Sequence, residues 1–325
     1  MMAEKVILDV DTGSDDAIAI ATAFLSPDID LLAVCTVNGN RSVEITTSNT
    51  LRLLEYLGAD VPVYRGCHLP MVASLTPGRR KHVPFTGPDN KEEDVHGDYL
   101  PLPEPTRKAQ PEHAVVWLVD KLKNSKEKIT LIFVGPLTNL AMALRIDPDI
   151  VKNIKQVIIM GGGYLVNNIT AGAEFNFWID PEAAKIVADC GAPLVIVPLD
   201  ATHAAYVTME EAEEFINLGT PGSVISGKLI KQRIAGYNAF QPMAVPNAAP
   251  IHDALAVCAL IDREVLRSCM TVNMDVSIAH GITDGMSLFD TGGRDRNRKP
   301  NAIVAKDADR EKFVGMMKEI LGRKN

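Results

Sequence analysis

The sequence predicts an α/β protein with a single open, mostly parallel sheet and flanking helices, Rossmann-like in character. Three observations lead there. Short apolar, β-branched runs alternate with segments of helical period along most of the chain. The first run stops at a turn of acids and glycine that leads directly into a helical stretch. No internal repeat or Ser/Gly linker divides the 325 residues, so one domain over 1–325 is expected.

Taken in order, Lys5-Val6-Ile7-Leu8 is the first strand, Asp9-Val10-Asp11-Thr12-Gly13-Ser14-Asp15-Asp16 its exit, and Ala17-Ile18-Ala19-Ile20-Ala21 the start of a helix. Further strands are expected over residues 31–37, 61–64, 129–134, 156–160, 194–199 and 272–279. Helices are expected over 43–57, 113–122, 139–144 and 182–189. Such alternation implies right-handed crossovers and parallel strands. Two stretches break the rhythm: residues 76–106, rich in Pro, Gly and charge, and Phe240-Gln241-Pro242-Met243-Ala244-Val245-Pro246-Asn247. Both are candidate lids over a site, with surface-loop disorder as the competing reading for the first.

Hydrophobic content of 46% with 23% charged residues suits a soluble globular protein with a sizeable core. A formal charge of -8 argues against nucleic acid as a partner. No signal-peptide pattern and no apolar run of membrane length is visible, so no membrane partner is expected. Five scattered cysteines suggest a reducing compartment, hence a cytoplasmic location, and no zinc or disulfide framework.

The acidic exit carries the chemistry. Asp9, Asp11, Asp15 and Asp16 place four carboxylates within eight residues at the carboxyl end of a strand, where open α/β sheets put their sites. Helix capping accounts for one or two of them. The rest repel one another unless a cation or proton intervenes, and a hard divalent metal is the natural partner. The spacing is not that of an EF-hand.

Three further clusters follow. Gly135-Pro136-Leu137-Thr138-Asn139 is a strand exit that can present a backbone carbonyl to a metal, although taken alone a plain turn capped by Thr138 or Asn139 explains it better. Met160-Gly161-Gly162-Gly163 lacks the Lys-Ser/Thr of a phosphate loop, and its glycines fit close approach of other groups. Downstream, Asn168, Glu174 and Asn176 form a donor–acceptor set suited to hydroxyls, as on a sugar. In His252-Asp253, at a helix start, the acid can serve a metal and the imidazole a substrate.

Taken together and in this order, the clusters resemble the nucleoside hydrolase family of inosine–uridine-preferring type. The opening run matches its Asp-x-Asp-x-Gly-x-Asp-Asp signature, and Asn38-Gly39-Asn40, Ala173-Glu174-Phe175-Asn176 with Asp180-Pro181-Glu182, and Ile251-His252-Asp253-Ala254 also fit. The resemblance implies a Rossmann-like nucleoside hydrolase fold, bound Ca²⁺, a homodimer or homotetramer, and hydrolysis of ribonucleosides to ribose and free base. It implies Ca²⁺ ligation by Asp11, Asp16, Asp253 and the carbonyl of Thr138, with Asp9 behind them. Asp15, Asn40, Asn168, Glu174 and Asn176 would grip the ribose, Asp11 would act as the base toward water, and His252 would protonate the leaving base.

His96, Tyr237 and Phe240 would line the base pocket. Here the sequence departs from the family pattern: His96-Gly97-Asp98 is followed by Tyr99-Leu100-Pro101, and the second lid is poor in tyrosine. Base preference is where those departures act, and His252 favours the base-tolerant or pyrimidine-handling branches. Two other readings of the opening run are a phosphatase of the haloacid dehalogenase type with Asp9 as nucleophile, and a non-catalytic Ca²⁺-dependent nucleoside or sugar binder.

Overall fold

β1 (Glu4–Val10) is buried from Val6 onward, with Val6, Leu8 and Val10 facing one core and Ile7 the other. A strand covered on both faces reads as an unbroken apolar run, and this one does. The computed structural model describes residues 3–79, 97–295 and 297–324. α1 (Ser14–Leu25) begins as the chain leaves β1, with Asp15 and Asp16 in its first turn, where the helix dipole favours acids. β2 (Ile29–Thr36), α2 (Val43–Tyr56) and β3 (Val63–Arg65) complete the first parallel units.

Further along the chain come α3 (Ala114–Lys123), β4 (Ile129–Phe133), α4 (Thr138–Ile146) and β5 (Ile154–Met160). α5 (Phe175–Ile179) and α6 (Pro181–Ala188) follow, the second capped by the Asp180 side chain with Pro181 at its first position. β6 (Leu194–Val197) leads to α7 (Leu199–Ala204), β7 (Tyr206–Thr208) and α8 (Met209–Asn217). Then come α9 (Pro221–Phe240), β8 (Ala248–Pro250), α10 (His252–Ile261) and β9 (Leu266–Arg267). The chain closes with β10 (Met270–Val276), β11 (Ser287–Asp290), β12 (Ala302–Val304), β13 (Asp307–Ala308) and α11 (Arg310–Leu321).

The main sheet runs β11-β10-β12-β6-β5-β4-β1-β2-β3. It is parallel from β12 to β3, and β10 pairs antiparallel with both β12 and β11. The mostly parallel sheet is as expected. One apolar core packs α1, α2, α9, α10 and α11 on one face through Ile18, Leu53, Ile230, Leu255 and Phe313. The other packs α3, α4 and α6 through Leu118, Leu140 and Val187. No helix among the described residues is long and apolar enough to cross a membrane.

From β1 the chain steps outward to β2 and β3, then returns to place β4 on the opposite side of β1. That reversal opens a crevice at the carboxyl ends of β1 and β4, where such sheets bind ligands. Some boundaries differ from expectation. The strand expected over 194–199 stops at Val197, because Pro198 has no N–H for the ladder and caps α7. The strand expected over 272–279 ends at Val276. α9 had no counterpart in the sequence reading, since its apolar residues are interspersed with Gly, Ser, Lys and Gln and show no clear stripe.

Candidate active site

Asp9, at the penultimate position of β1, is fully buried, and burial pushes its carboxyl well above the usual range. Asn139, from the first turn of α4, donates to Asp9 Oδ2 at 2.8 Å and to the Thr36 carbonyl at 3.0 Å. Asp11 follows at the strand exit. The Asn40 N–H donates to its Oδ2 at 2.6 Å, and the Asn40 amide reaches the Asp11 carbonyl and Asp16 Oδ2, each at 3.3 Å. A β-carbon at Gly39 would lie 2.1 Å from Asp11 Oδ2, and one at Gly135 would lie 2.8 Å from Oδ1. Bare backbone therefore packs against this carboxylate on both sides.

Asp16 accepts from the Gly13 N–H at 2.9 Å and the Asp11 N–H at 3.0 Å, which fixes it at the helix start. Asp15, Asp16 and Asp253 each bring a carboxylate oxygen within 4.8 Å of the others, and all three are buried. Burial and the Asp15 charge push Asp16 up to about 6. Burial, then the neighbouring aspartates, drive Asp253 and Asp11 well above the usual range. Crowded, desolvated and all-oxygen, this donor set fits a hard divalent cation. Asp15, expected to grip the sugar, sits inside this triad, whereas Asp11 joins the group through its hydrogen bond to Asp16.

Thr138 opens α4 and is buried, its hydroxyl donating to Asp180 at 2.6 Å. On the neighbouring strand exit, Glu174 caps α5 and accepts from the N–H groups of Asn176, Phe177 and Gly162 at 2.9, 3.2 and 2.9 Å. Burial pushes its carboxyl up to about 7. Asn176 donates its amide to the carbonyls of Val134 and Met160, at the ends of β4 and β5. Asn168 is half-buried and accepts from the Phe175 N–H at 3.0 Å. A β-carbon at Gly161 would come within 2.6 Å of the Phe177 ring, so the glycine run serves close packing.

His252 opens α10. Its Nε2 lies 2.8 Å from the Tyr237 hydroxyl on α9, and its Nδ1 lies 2.7 Å from Thr202 Oγ1 on α7. Tyr237 is buried, which pushes its phenol up to about 12. Phe240 is the last residue of α9. His96 and most of the 76–106 stretch lie outside the described residues. Where the chain is described again, Asp98 pairs with Arg41 at 3.0 Å, and Asn49 of α2 holds the Asp98 carbonyl and the Leu100 N–H.

Residues 6–315 match the profile of a family described as inosine-uridine preferring nucleoside hydrolase. The chain belongs to that family. It is 35% identical to a pyrimidine-specific ribonucleoside hydrolase of Escherichia fergusonii, over 98% of this chain and 99% of the relative. A plant nucleoside hydrolase structure superposes with a TM-score of 0.85 at 30% identity, covering 99% of both chains. A purine-preferring ribonucleoside hydrolase from Gardnerella vaginalis gives 0.85 at 26% identity, covering 98% of both. This nucleoside hydrolase is thus an enzyme that cleaves the N-glycosidic bond of ribonucleosides, and its aspartate cluster suits a metal-dependent member of the family. The phosphatase and pure-binder readings of the opening run give way to that activity.

Two residues of the hydrolase site were missed in the sequence. Arg233 of α9 is 2% exposed and pairs with Asp15 Oδ1 at 2.8 Å. Thr202 is fully buried against His252. A crowd of acids calls for a buried cation, but no local motif says which of the chain's arginines supplies it.

Proposed function

We propose that this nucleoside hydrolase holds Ca²⁺ on Asp11, Asp16, Asp253 and the Thr138 carbonyl, and acts preferentially on pyrimidine ribonucleosides. The observation that carries the reading is the approach of Asp253, from the start of α10, to the adjacent Asp15 and Asp16 of α1, which crowds three buried carboxylates into one place and calls for a cation. When bound, the ion supplies acidification of a water and neutralisation of the aspartates. Asp11 would take a proton from the attacking water as the water oxygen bonds to C1′. Asp15, Asn40, Asn168, Glu174 and Asn176 orient the ribose through its hydroxyls, and the surrounding carboxylates stabilise positive charge developing on the sugar. As the C1′–N bond breaks, His252 gives a proton to the departing base, in contact with a Tyr237 phenol that burial keeps protonated.

The pyrimidine preference draws on the 35% identical relative and on His252 beside Asp253. We place the enzyme in the cytoplasm, as one domain over residues 1–325 and as a homodimer or homotetramer. The test is to incubate purified protein separately with uridine, cytidine, inosine and adenosine and follow free base by chromatography, before and after chelation. Uracil and cytosine should be released fastest, chelation should stop release, and Ca²⁺ should restore it. Faster purine release or turnover that survives chelation would overturn the corresponding half of the reading.

A further inference from the structure

Arg233 joins three parts of the site that the sequence keeps apart. Its guanidinium pairs with Asp15 Oδ1 at 2.8 Å and donates to Ser14 Oγ at 3.1 Å, both in the first turn of α1. Its Nε donates to the Pro250 carbonyl at 3.2 Å, two residues before His252. It also lies 5.6 Å from the centre of the Tyr237 ring, one helical turn further along α9. Arg233 is 2% exposed and Asp15 5%, so the pair is shielded from water, and the charge attraction over 2.8 Å holds the Asp15 carboxylate beside the guanidinium.

The cluster makes that orientation consequential. Asp15 stands close enough to Asp16 and Asp253 to serve as a third metal ligand. A carboxylate already paired with a guanidinium is a poorer ligand for a cation, because much of its charge is neutralised. Among the described residues no guanidinium contacts Asp16, which accepts from backbone N–H groups and from the Asn40 amide and feels Arg233 only at longer range. Arg233 thus separates two chemically identical neighbours into different tasks.

We propose that Arg233 is a positioning residue that holds the Asp15 carboxylate for the ribose hydroxyls, keeps it out of the metal shell, and thereby sets the preference for ribose over 2′-deoxyribose. The inference rests on the assignment of Asp15 to the sugar. A site that hydrogen-bonds a substrate hydroxyl can reject the analogue lacking it by about 10⁴-fold, and that discrimination requires the acceptor to be aimed.

The experiment measures kcat/KM for the fastest nucleoside and its 2′-deoxy counterpart in the wild type, Arg233→Met, Arg233→Lys, Asp15→Asn and the Asp15→Asn/Arg233→Met double variant. Inhibition by the deoxynucleoside serves where it is not turned over. Calorimetric Ca²⁺ titration of the chelated proteins accompanies it. In Arg233→Met the ribose preference should drop by roughly 10²-fold while Ca²⁺ binds as tightly or more tightly, since a repelling cation has gone. Arg233→Lys should recover part of the preference. The double variant should discriminate no worse than Asp15→Asn alone, because the arginine acts through that aspartate. Should Arg233→Met refold poorly, the double variant, which leaves no unpaired buried carboxylate, still reports the coupling. An unchanged ribose preference in Arg233→Met, equal losses on both sugars with weaker Ca²⁺ binding, or additive losses in the double variant would overturn the proposal. A wild type that binds no Ca²⁺ would instead overturn the metal assignment, with the sugar ratio still deciding the role of Arg233.

Discussion

The two halves of the site are built differently. The half proposed to hold metal and ribose comes from the exits of β1, β4 and β5 and the first turns of α1, α4, α5 and α10, with Asn40 and Asn168 from loops, and backbone N–H groups and glycines hold its carboxylates. The half proposed for the base draws on the far end of α9, the first residue of α10, one threonine of α7 and the loop over 241–247. The first half is fixed by sheet topology, so its geometry follows from strand order and cannot drift without breaking the core. Loops and a helix end build the second, where changes cost little stability and selectivity can move. On the proposed roles, bond cleavage falls to residues anchored at strand exits of the sheet, and base choice to a more replaceable part.

The sharpest way to break that contrast is at Asp11. Asp11→Asn should lower turnover by about 10³-fold or more on every nucleoside, with the order of bases unchanged. Steady-state rates on a purine and a pyrimidine check this, and a base-dependent loss would blur the division. His252→Ala acts on the other half. Its loss should be roughly 10²-fold on nucleosides and close to none on a nitrophenyl riboside, whose leaving group needs no proton. Equal losses on both substrates would remove His252 from proton transfer.

A smaller effect follows from pH. Burial and the Asp15 charge raise Asp16 to about 6, and Asp11 and Asp253 are raised as well, so as pH falls a cation must displace protons from this cluster, and Ca²⁺ affinity should fall by at least about tenfold per pH unit below 6. The accompanying stability has a definite sign. A carboxyl raised in the fold contributes fully below its unfolded value of about 3.9 and loses that contribution as pH rises through about 6. Chelated protein should therefore melt at progressively lower temperature from pH 4 to 7, while Ca²⁺-loaded protein should resist that decline. Calorimetric scans across this range decide it. Smallest of all, Asn139→Ala should cost about 1–3 kcal/mol in denaturant unfolding, because Asp9 loses its amide donor inside the core.

The same contrast explains what was legible in the sequence. Asp9 through Asp16 lie in one short run where strand, turn and helix follow one another, so local pattern suffices to place them. The parallel sheet was equally legible, since strands buried on both faces leave continuous apolar runs. α9 was not, because a helix with polar residues interspersed on all sides shows no stripe. Arg233 was hidden with it, whereas Tyr237 stood out in the sequence as an aromatic for the base pocket. Thr202 carries no signal either, because a threonine becomes informative only once α7 is known to pack against α10.

Strand order has a further consequence during synthesis. Asp11, Asp15 and Asp16 leave the ribosome among the first residues, yet Asp253 and Arg233 emerge only after six strands of the main sheet have been made. A nascent chain thus carries a knot of like charges with neither its last ligand nor its counter-charge. Strong cation capture by this site is in that sense a late event, and release-arrested chains ending before α10 would report it: they can carry β1 through β6 and still lack the grip on metal that marks a finished molecule.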